Sequence, residues 1–430
     1  KGGDPFIFGR GGEEAEALVA ADVSFEVVPG VTAGTAAAAY AGIPVTQRGL
    51  SSSVAFVTGH EDPDKGMSAH DWTALAHGPE TLVFYMGVKN LPEICRNLLE
   101  AGLPAKRPAA MVQWGTTPRQ RTLLSTLGAL PQEAEAAGLT APAVIIVGEV
   151  AALRKSLQWY ENRPLFGRKV VVTRSREQAG ALTAALESLG AEVMEFPCIE
   201  VLPLADQSLV QGAISRLSEY QWVIFTSANG VKFFWEQLMV LGKDARIFAP
   251  CRVAAIGPGT AQSLAERGIV ADFLPESFVA ESVAEGLISQ GVTGQRILIP
   301  RAVAARDVLP QALERAGAEV RVLPVYEARP CFSGREELRE VFVKGGVDCV
   351  TFASSSTVDN FFAGLDPALL QHLRNAQAEN GAGGPPHFAC IGPITRAALE
   401  SYGFACDVEP REYTIAGLAT ALAEFYKHES

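Results

Sequence analysis

Two stretches of this 430-residue chain carry short hydroxyl and amide side chains where a strand gives way to a helix: VIFTSANG (223–230) and VTFASSST (350–357). Two others run from a strand through a Gly-Pro turn into a helix, IGPGTAQSLAERG (256–268) and IGPITRAALESYG (391–403). In parallel sheets, ligands collect where strand C-termini meet helix N-termini. There, free backbone N–H groups and Ser or Thr hydroxyls hold anions. The four stretches therefore predict a cleft lined by Ser227, Asn229, Thr260, Ser354, Ser355, Ser356 and Thr395. Any one of these residues, taken alone, reads more readily as a helix cap. Their recurrence at matching positions favours a binding role for the set. The chemistry implied is the binding and shaping of a polyanion. Paired carboxylates, a Ser-His-Asp arrangement and a metal cluster are all missing from the pattern.

The elements that must position these residues come from an internal repeat. LESLGAEVMEFPCIEVLP (186–203) matches LERAGAEVRVLPVYEARP (313–330) at an offset of 127 positions. The same offset pairs Arg174 with Arg301, Phe225 with Phe352 and Ser227 with Ser354, whereas Ile256 pairs with Ile391 at an offset of 135. The eight extra residues fall on an inserted loop, AENGAGGPP (378–386). Residues 168–430 thus read as a doubled α/β unit. Ahead of it, FEVV (25–28), SVAFVTG, TLVFYM and AVIIVG read as buried strands around an alanine-rich helix, TAGTAAAAYAG, closed by Gly42 and stopped by Pro44. That too is an α/β layout. ENRPLFG (161–167) carries Pro and Gly and reads as a linker.

Composition narrows the function further. A net charge of −12 argues against nucleic acid as a general partner. Seven cysteines without CxxC spacing read as reduced thiols of a cytoplasmic protein. The six histidines show no metal-ligand spacing, so no metal is expected. The longest apolar runs are strand-length, well short of a membrane span. A nicotinamide-dependent dehydrogenase is disfavoured because GRKVVVTRSREQAG lacks the G-x-G-x-x-G turn.

TSANG, AAIGPGTA, LIPRA, LPVYEARP, TFASSST and CIGPITRAALESYG, in that order, resemble uroporphyrinogen-III synthase. The resemblance implies two α/β lobes, roughly 168–200 plus 331–430, and 201–330. It implies closure of hydroxymethylbilane, a linear tetrapyrrole, into uroporphyrinogen III with inversion of the last ring and without a cofactor. Such a reaction rests mainly on positioning. The resemblance also implies that Tyr326 is a candidate for assisting departure of the substrate hydroxyl; a tyrosine partly buried at a domain junction is the other reading. Arg301 stands as a partner for a substrate carboxylate or as one half of a salt bridge.

KGGDPFIFGRGGEEAEAL, VPGVTAGTAAAAYAGIPVTQR, FVTGHE, LVFYMG and WGTTPRQR resemble an S-adenosylmethionine-dependent uroporphyrinogen-III C-methyltransferase. What is present over residues 1–160 resembles the C-terminal part of that tetrapyrrole-methylase-like fold. The resemblance puts Gly2, Gly3, Asp4 and Ile7 on the loop approaching S-adenosylmethionine, with Thr32, Ala33, Met86 and Gly115 as further contacts. It implies homodimers formed through this half. These methyltransferases begin with a strand and a GxGPGDP-type loop, and the sequence starts inside that loop. The expectation is therefore a methyltransferase lacking its first strands, incomplete here, fused to an intact synthase on the route towards sirohaem and cobalamin-type rings. The alternative of another class is a non-catalytic tetrapyrrole- or polyanion-binding module, since two facing lobes equally suit a clamp.

Overall fold

The structure, a computed structural model, describes residues 2–59, 70–174, 176–344, 346–379 and 386–429. The inserted-loop expectation at 378–386 falls largely outside the described residues. Three sheets organise the chain.

The first contains β1 (Val54–Thr58), β2 (Thr81–Tyr85), β3 (Pro108–Gln113), β4 (Arg121–Thr126) and β5 (Ala143–Val147), in the order β1-β2-β5-β3-β4. β1 and β2 run parallel, and the remaining pairs are antiparallel. Alternation decides which side chains face which layer. Phe84, Met111, Ile145 and Val147 enter the cluster built on the helix Leu91–Glu100, while Val83, Val112, Val144 and Ile146 pack on the alanine-rich helix Ala33–Tyr40. That helix ends as its sequence requires. Gly42 adopts φ 73°, Ile43 N–H donates to the Ala38 carbonyl and Gly42 N–H to the Ala39 carbonyl, a Schellman closure.

The strand expected at 25–28 does not form. Residues 23–30 are irregular, and Val28 is 77% exposed. A run of β-branched residues becomes a strand only when a neighbour accepts its backbone hydrogen bonds, and among the described residues no strand pairs with this one.

β6 (Lys169–Val172), β7 (Glu192–Glu195), β13 (Cys349–Phe352) and β14 (His387–Cys390) form an all-parallel sheet ordered β14-β13-β6-β7. β8 (Ile199–Pro203), β9 (Trp222–Phe225), β10 (Arg252–Ala255), β11 (Arg296–Ala302) and β12 (Glu319–Pro330) form the third, ordered β10-β9-β11-β12-β8. It is parallel except where β8 pairs antiparallel with the far end of β12. Both faces of each sheet are buried. In the third, Val223, Phe225 and Leu298 point one way and Trp222, Ile224, Ile297 and Ile299 the other. Such two-sided burial explains why these strands read as continuous apolar runs. Chain crosses between the two sheets at 196–198 and again at 331–334, and Cys331 N–H donates to the Cys198 carbonyl there.

All seven cysteines are free thiols. Burial pushes the Cys95 thiol up to about 12. Among the described residues, no helix is long and apolar enough to cross a membrane, and no group of His, Cys, Asp and Glu is placed to hold a metal ion.

Candidate functional site

In the third sheet the chain leaves β9 through Ser227, which caps the helix Ala228–Val240 by accepting from Gly230 N–H at 3.0 Å. The Ser227 hydroxyl also lies 3.0 Å from the Tyr326 hydroxyl at the bend of β12. Tyr326 is buried, and its ring stacks on Phe233, with centroids 5.6 Å apart. Ser227, Tyr326 and Arg301 share the wall of a cavity of about 350 Å³ with Thr226 and Arg306. That volume is at the small end of the range for small-molecule sites.

Arg301 is 8% exposed. Its guanidinium donates to the Arg306 carbonyl at 2.9 Å and pairs with the Asp307 carboxylate. Its Nε has no hydrogen-bond partner among the described residues, so a buried donor remains for an incoming acceptor. A salt bridge is therefore present, in a pocket wall rather than on the open surface. Burial also holds the Arg174 guanidinium, 127 positions earlier in the chain, below its ordinary range.

Ser354 caps the helix Ser355–Gly364 in a capping box with Thr357, and its hydroxyl lies 3.0 Å from that of Ser356. Thr260 and Thr395 occupy the first turns of the helices Pro258–Ala265 and Pro393–Ser401 and are buried. Asn229 lies in the first turn after Ser227, half-buried. The predicted hydroxyls thus stand at the C-terminal edges of the two parallel sheets. Ser227 joins Tyr326 and Arg301 in one cavity, while Ser354, Ser355, Ser356 and Thr395 belong to the other sheet's edge. A second cavity of about 590 Å³ opens beside the crossings between these two sheets, lined by Glu200, Lys232, Phe233, Glu236 and Cys331 among others. Its residues gave no signal in the sequence. Phe233 links it physically to Tyr326.

A cavity of about 430 Å³ opens on the first sheet, walled by Gly3, Ala33, Tyr85, Met86, Trp114, Gly115 and Thr116 among others. Four of the eight contacts expected from the sequence, Gly3, Ala33, Met86 and Gly115, meet there. Thr32 stands just behind. Its hydroxyl hydrogen-bonds the Tyr85 hydroxyl, which also accepts from Gly34 N–H at 2.6 Å. Gly2 and Ile7 do not line this cavity. Asp4 ties the loop down, accepting from Phe6 N–H at 2.8 Å and Gly30 N–H at 3.0 Å. The Gly30 contact, and after it the Phe6 contact, holds the Asp4 carboxyl below the usual carboxylate range.

Gly115 is glycine for a steric reason: a Cβ there would lie 2.5 Å from the Ala37 Cβ. Met86, Trp114 and Thr116 have φ of 54°, 51° and 70°. Three non-glycine residues in the left-handed region on one cavity wall mark stored backbone strain, which concentrates at ligand sites. The sequence does not show that strain. Tyr85, Trp114 and Thr116 were missed, although each adjoins a residue that was singled out.

The family described as "Uroporphyrinogen-III synthase HemD" matches residues 180–420, and that described as "Tetrapyrrole (Corrin/Porphyrin) Methylases" matches residues 1–131, at the amino-terminal end. The chain is 37% identical over 402 residues to a "Porphyrin biosynthesis protein HemD" of Ruminiclostridium josui, spanning 94% of this chain and 77% of that protein. It is 49% identical over 162 residues to a uroporphyrinogen-III C-methyltransferase of Bacillus subtilis, spanning 38% of this chain but only 63% of that enzyme. A solved uroporphyrin-III C-methyl transferase of Thermus thermophilus, complexed with S-adenosyl homocysteine, is 36% identical; the match covers 35% of this chain and 64% of that one, with a TM-score of 0.30. Match length and identity together establish that the chain belongs to the uroporphyrinogen-III synthase HemD family of tetrapyrrole-biosynthesis enzymes, with a tetrapyrrole-methylase segment ahead of the synthase part.

Proposed function

We propose that residues 168–430 close hydroxymethylbilane to uroporphyrinogen III with inversion of the last ring. The observation that carries this reading is the Ser227–Tyr326 hydroxyl pair in a cavity that also holds Arg301. The substrate is a polycarboxylate, and Arg301 Nε with the first N–H groups of the helix beginning at Ala228 would receive one carboxylate. The Tyr326 hydroxyl, hydrogen-bonded to Ser227, would donate to the departing substrate hydroxyl. Proton donation of this kind contributes about 10²–10⁴ in rate. The remaining Ser and Thr residues at the other sheet's edge would hold further carboxylates and impose the fold that favours inversion.

Duplication belongs to this proposal. An offset of 127 carries β9 onto β13, and an offset of 135 carries β10 onto β14. The strand order β10-β9-β11-β12 then has β14-β13-β6-β7 as its counterpart. The corresponding lobes are 168–200 with 331–430, and 201–330, joined by the two crossings, with 161–167 as the connection to the first 160 residues.

For the amino-terminal half we propose S-adenosylmethionine as the cofactor and uroporphyrinogen III as the methyl acceptor. The cavity beside Gly115 suits it. Gly115 leaves room that a Cβ would fill, and the apolar wall of Ala33, Ala37 and Val112 fits an adenosyl group. When bound, the cofactor supplies the methyl group. Gly3, Met86, Gly115 and Thr116 would hold and orient it. Self-association through this half is part of the same reading, supported by the exposed Phe6, Val19, Phe25 and Val28.

The deciding experiment is cyclisation of freshly generated hydroxymethylbilane by the whole chain, scoring type III against type I isomer by chromatography. Dominant type III product is expected. Type I product at the spontaneous rate, from folded protein, would replace the enzymatic reading with that of a tetrapyrrole-binding module.

A further inference from the structure

The strained turn at 114–117 is held from behind by the segment that leads into the synthase part. The Tyr160 hydroxyl donates to the Thr116 carbonyl at 3.2 Å. Thr116 N–H donates to Gln120 Oε1 at 2.9 Å. The Gln120 amide in turn donates to the Glu161 carboxylate at 2.8 Å. Glu161 also accepts from the Thr122 hydroxyl and from Arg154, each at 2.6 Å. Both backbone polar groups of Thr116, at φ 70°, are thus fixed by Tyr160 directly and by Glu161 through Gln120. Tyr160 is 5% exposed and Gln120 3%, so water does not substitute easily for these contacts.

The same segment braces the opposite wall of the cavity. Tyr40, the last residue of the alanine-rich helix, packs edge-on against Tyr160 at 4.7 Å and at a tilt against Trp159 at 5.1 Å. Trp159 Nε1 donates to the Ala39 carbonyl, and Arg154 to the Ala41 carbonyl. Going the other way, Tyr160 packs on Phe166 at 5.3 Å, and Leu165 N–H donates to the Leu189 carbonyl of the first synthase lobe.

We propose that Tyr160 and Glu161 are positioning residues for the adenosyl-cofactor cavity, so that this connecting segment is part of the methyl-transfer site's support. The inference rests on the reading of that cavity given above. Strain in a turn persists only where the surroundings over-determine it, and here those surroundings lie forty residues further along the chain, beside the synthase.

The test uses the whole chain and S-adenosylhomocysteine as probe. Tyr160→Phe and Glu161→Gln are compared with the native protein by calorimetric titration and by the rate of tryptic cleavage after Arg119, an exposed site in the turn. Trp114, stacked under Arg119 at 4.6 Å, provides a spectroscopic signature: each variant's emission minus that of its Trp114→Phe counterpart isolates it. We expect roughly five- to tenfold weaker binding, from loss of one or two buried hydrogen bonds. Faster cleavage after Arg119, a shifted Trp114 signal and unchanged type III formation should accompany it. Native-like affinity and native-like cleavage in both variants would overturn the inference, as would faster cleavage with unchanged affinity. If the native chain fails to bind the probe while the variants lose protection at Arg119, the cofactor reading fails and the hold on the turn stands.

Discussion

Ser227 and Tyr326 are 99 residues apart in sequence, yet their hydroxyls lie 3.0 Å apart because β9 and β12 flank β11 in one sheet. Ser227 is already committed as a helix cap, so its second contact orients the tyrosine. Tyr326→Phe keeps the ring stacked on Phe233 and removes only the donor. Type III formation should fall by about 10²-fold or more with little change in thermal stability, read by product chromatography beside a melting curve. A type III rate within twofold of native would remove Tyr326 from the reaction.

Arg301 and Asp307 make an uneven pair, the arginine side chain 10% exposed and the carboxylate 59%. Solvent screens the aspartate, so Asp307→Asn should lower stability only modestly, by about 1 kcal/mol. Arg301→Met removes the buried guanidinium, with its contacts to Asp307 and the Arg306 carbonyl and its unpartnered Nε. It should raise the apparent KM for hydroxymethylbilane more than it lowers kcat. Steady-state kinetics on the two variants separates a substrate-holding role from a purely structural one, for which KM would stay native.

The cavity near Gly115 tests steric reasoning directly. Gly115→Val would drive its side chain into Ala37 and into the cavity, and overpacking of this kind costs about 1–3 kcal/mol. Loss of S-adenosylhomocysteine binding, with a lower melting temperature for the amino-terminal half, is the expected result by titration and calorimetry. Full binding by this variant would place the ligand elsewhere.

The sequence carries much of this architecture because two-sided burial writes itself as apolar runs: AVIIVG and TLVFYM are β5 and β2 almost residue for residue. Gly-Pro turns likewise fix where Thr260 and Thr395 enter their helices. FEVV failed because strand propensity says nothing of whether a pairing edge is available. Trp114 and Thr116 were invisible for another reason. Left-handed backbone at a tryptophan or threonine runs against local preference, so only long-range contacts create it. Tyr160, which supplies one of those contacts, lies immediately ahead of the stretch 161–167 that composition marks merely as a linker.

Asp4 offers a pH handle. Its carboxyl sits below the ordinary value of 3.8, mainly because Gly30 N–H donates to it and secondarily because Phe6 N–H does. A depressed folded pKa means that the tie between the first loop and Gly30 is fully present above 3.8 and is lost as pH falls through the lowered value. Hydrogen exchange of the Gly30 amide should therefore stay slow down to about pH 4 and accelerate only below it, beyond the intrinsic pH trend. Asp4→Asn should exchange faster at neutral pH. Equal protection in the two proteins would show that the carboxylate does not hold the loop.

Gly190 tests how firmly the connecting segment sits on the synthase part. Its φ is 100°, and a Cβ would lie 2.9 Å from the Arg163 Cβ and 3.0 Å from Phe166 N. Gly190→Ala therefore meets both backbone strain and a clash with main chain, together about 2 kcal/mol. The clash is felt at Arg163, whose guanidinium packs over the rings of Trp159 and Tyr160. Displacement there should reach the turn at 114–117 through Tyr160. The variant should lose stability in urea titration and also gain tryptic cleavage after Arg119, although no residue from 114 to 119 is changed. Destabilisation without that gain would mean that the synthase part and the cavity beside Gly115 are held independently, and that the segment between them transmits nothing.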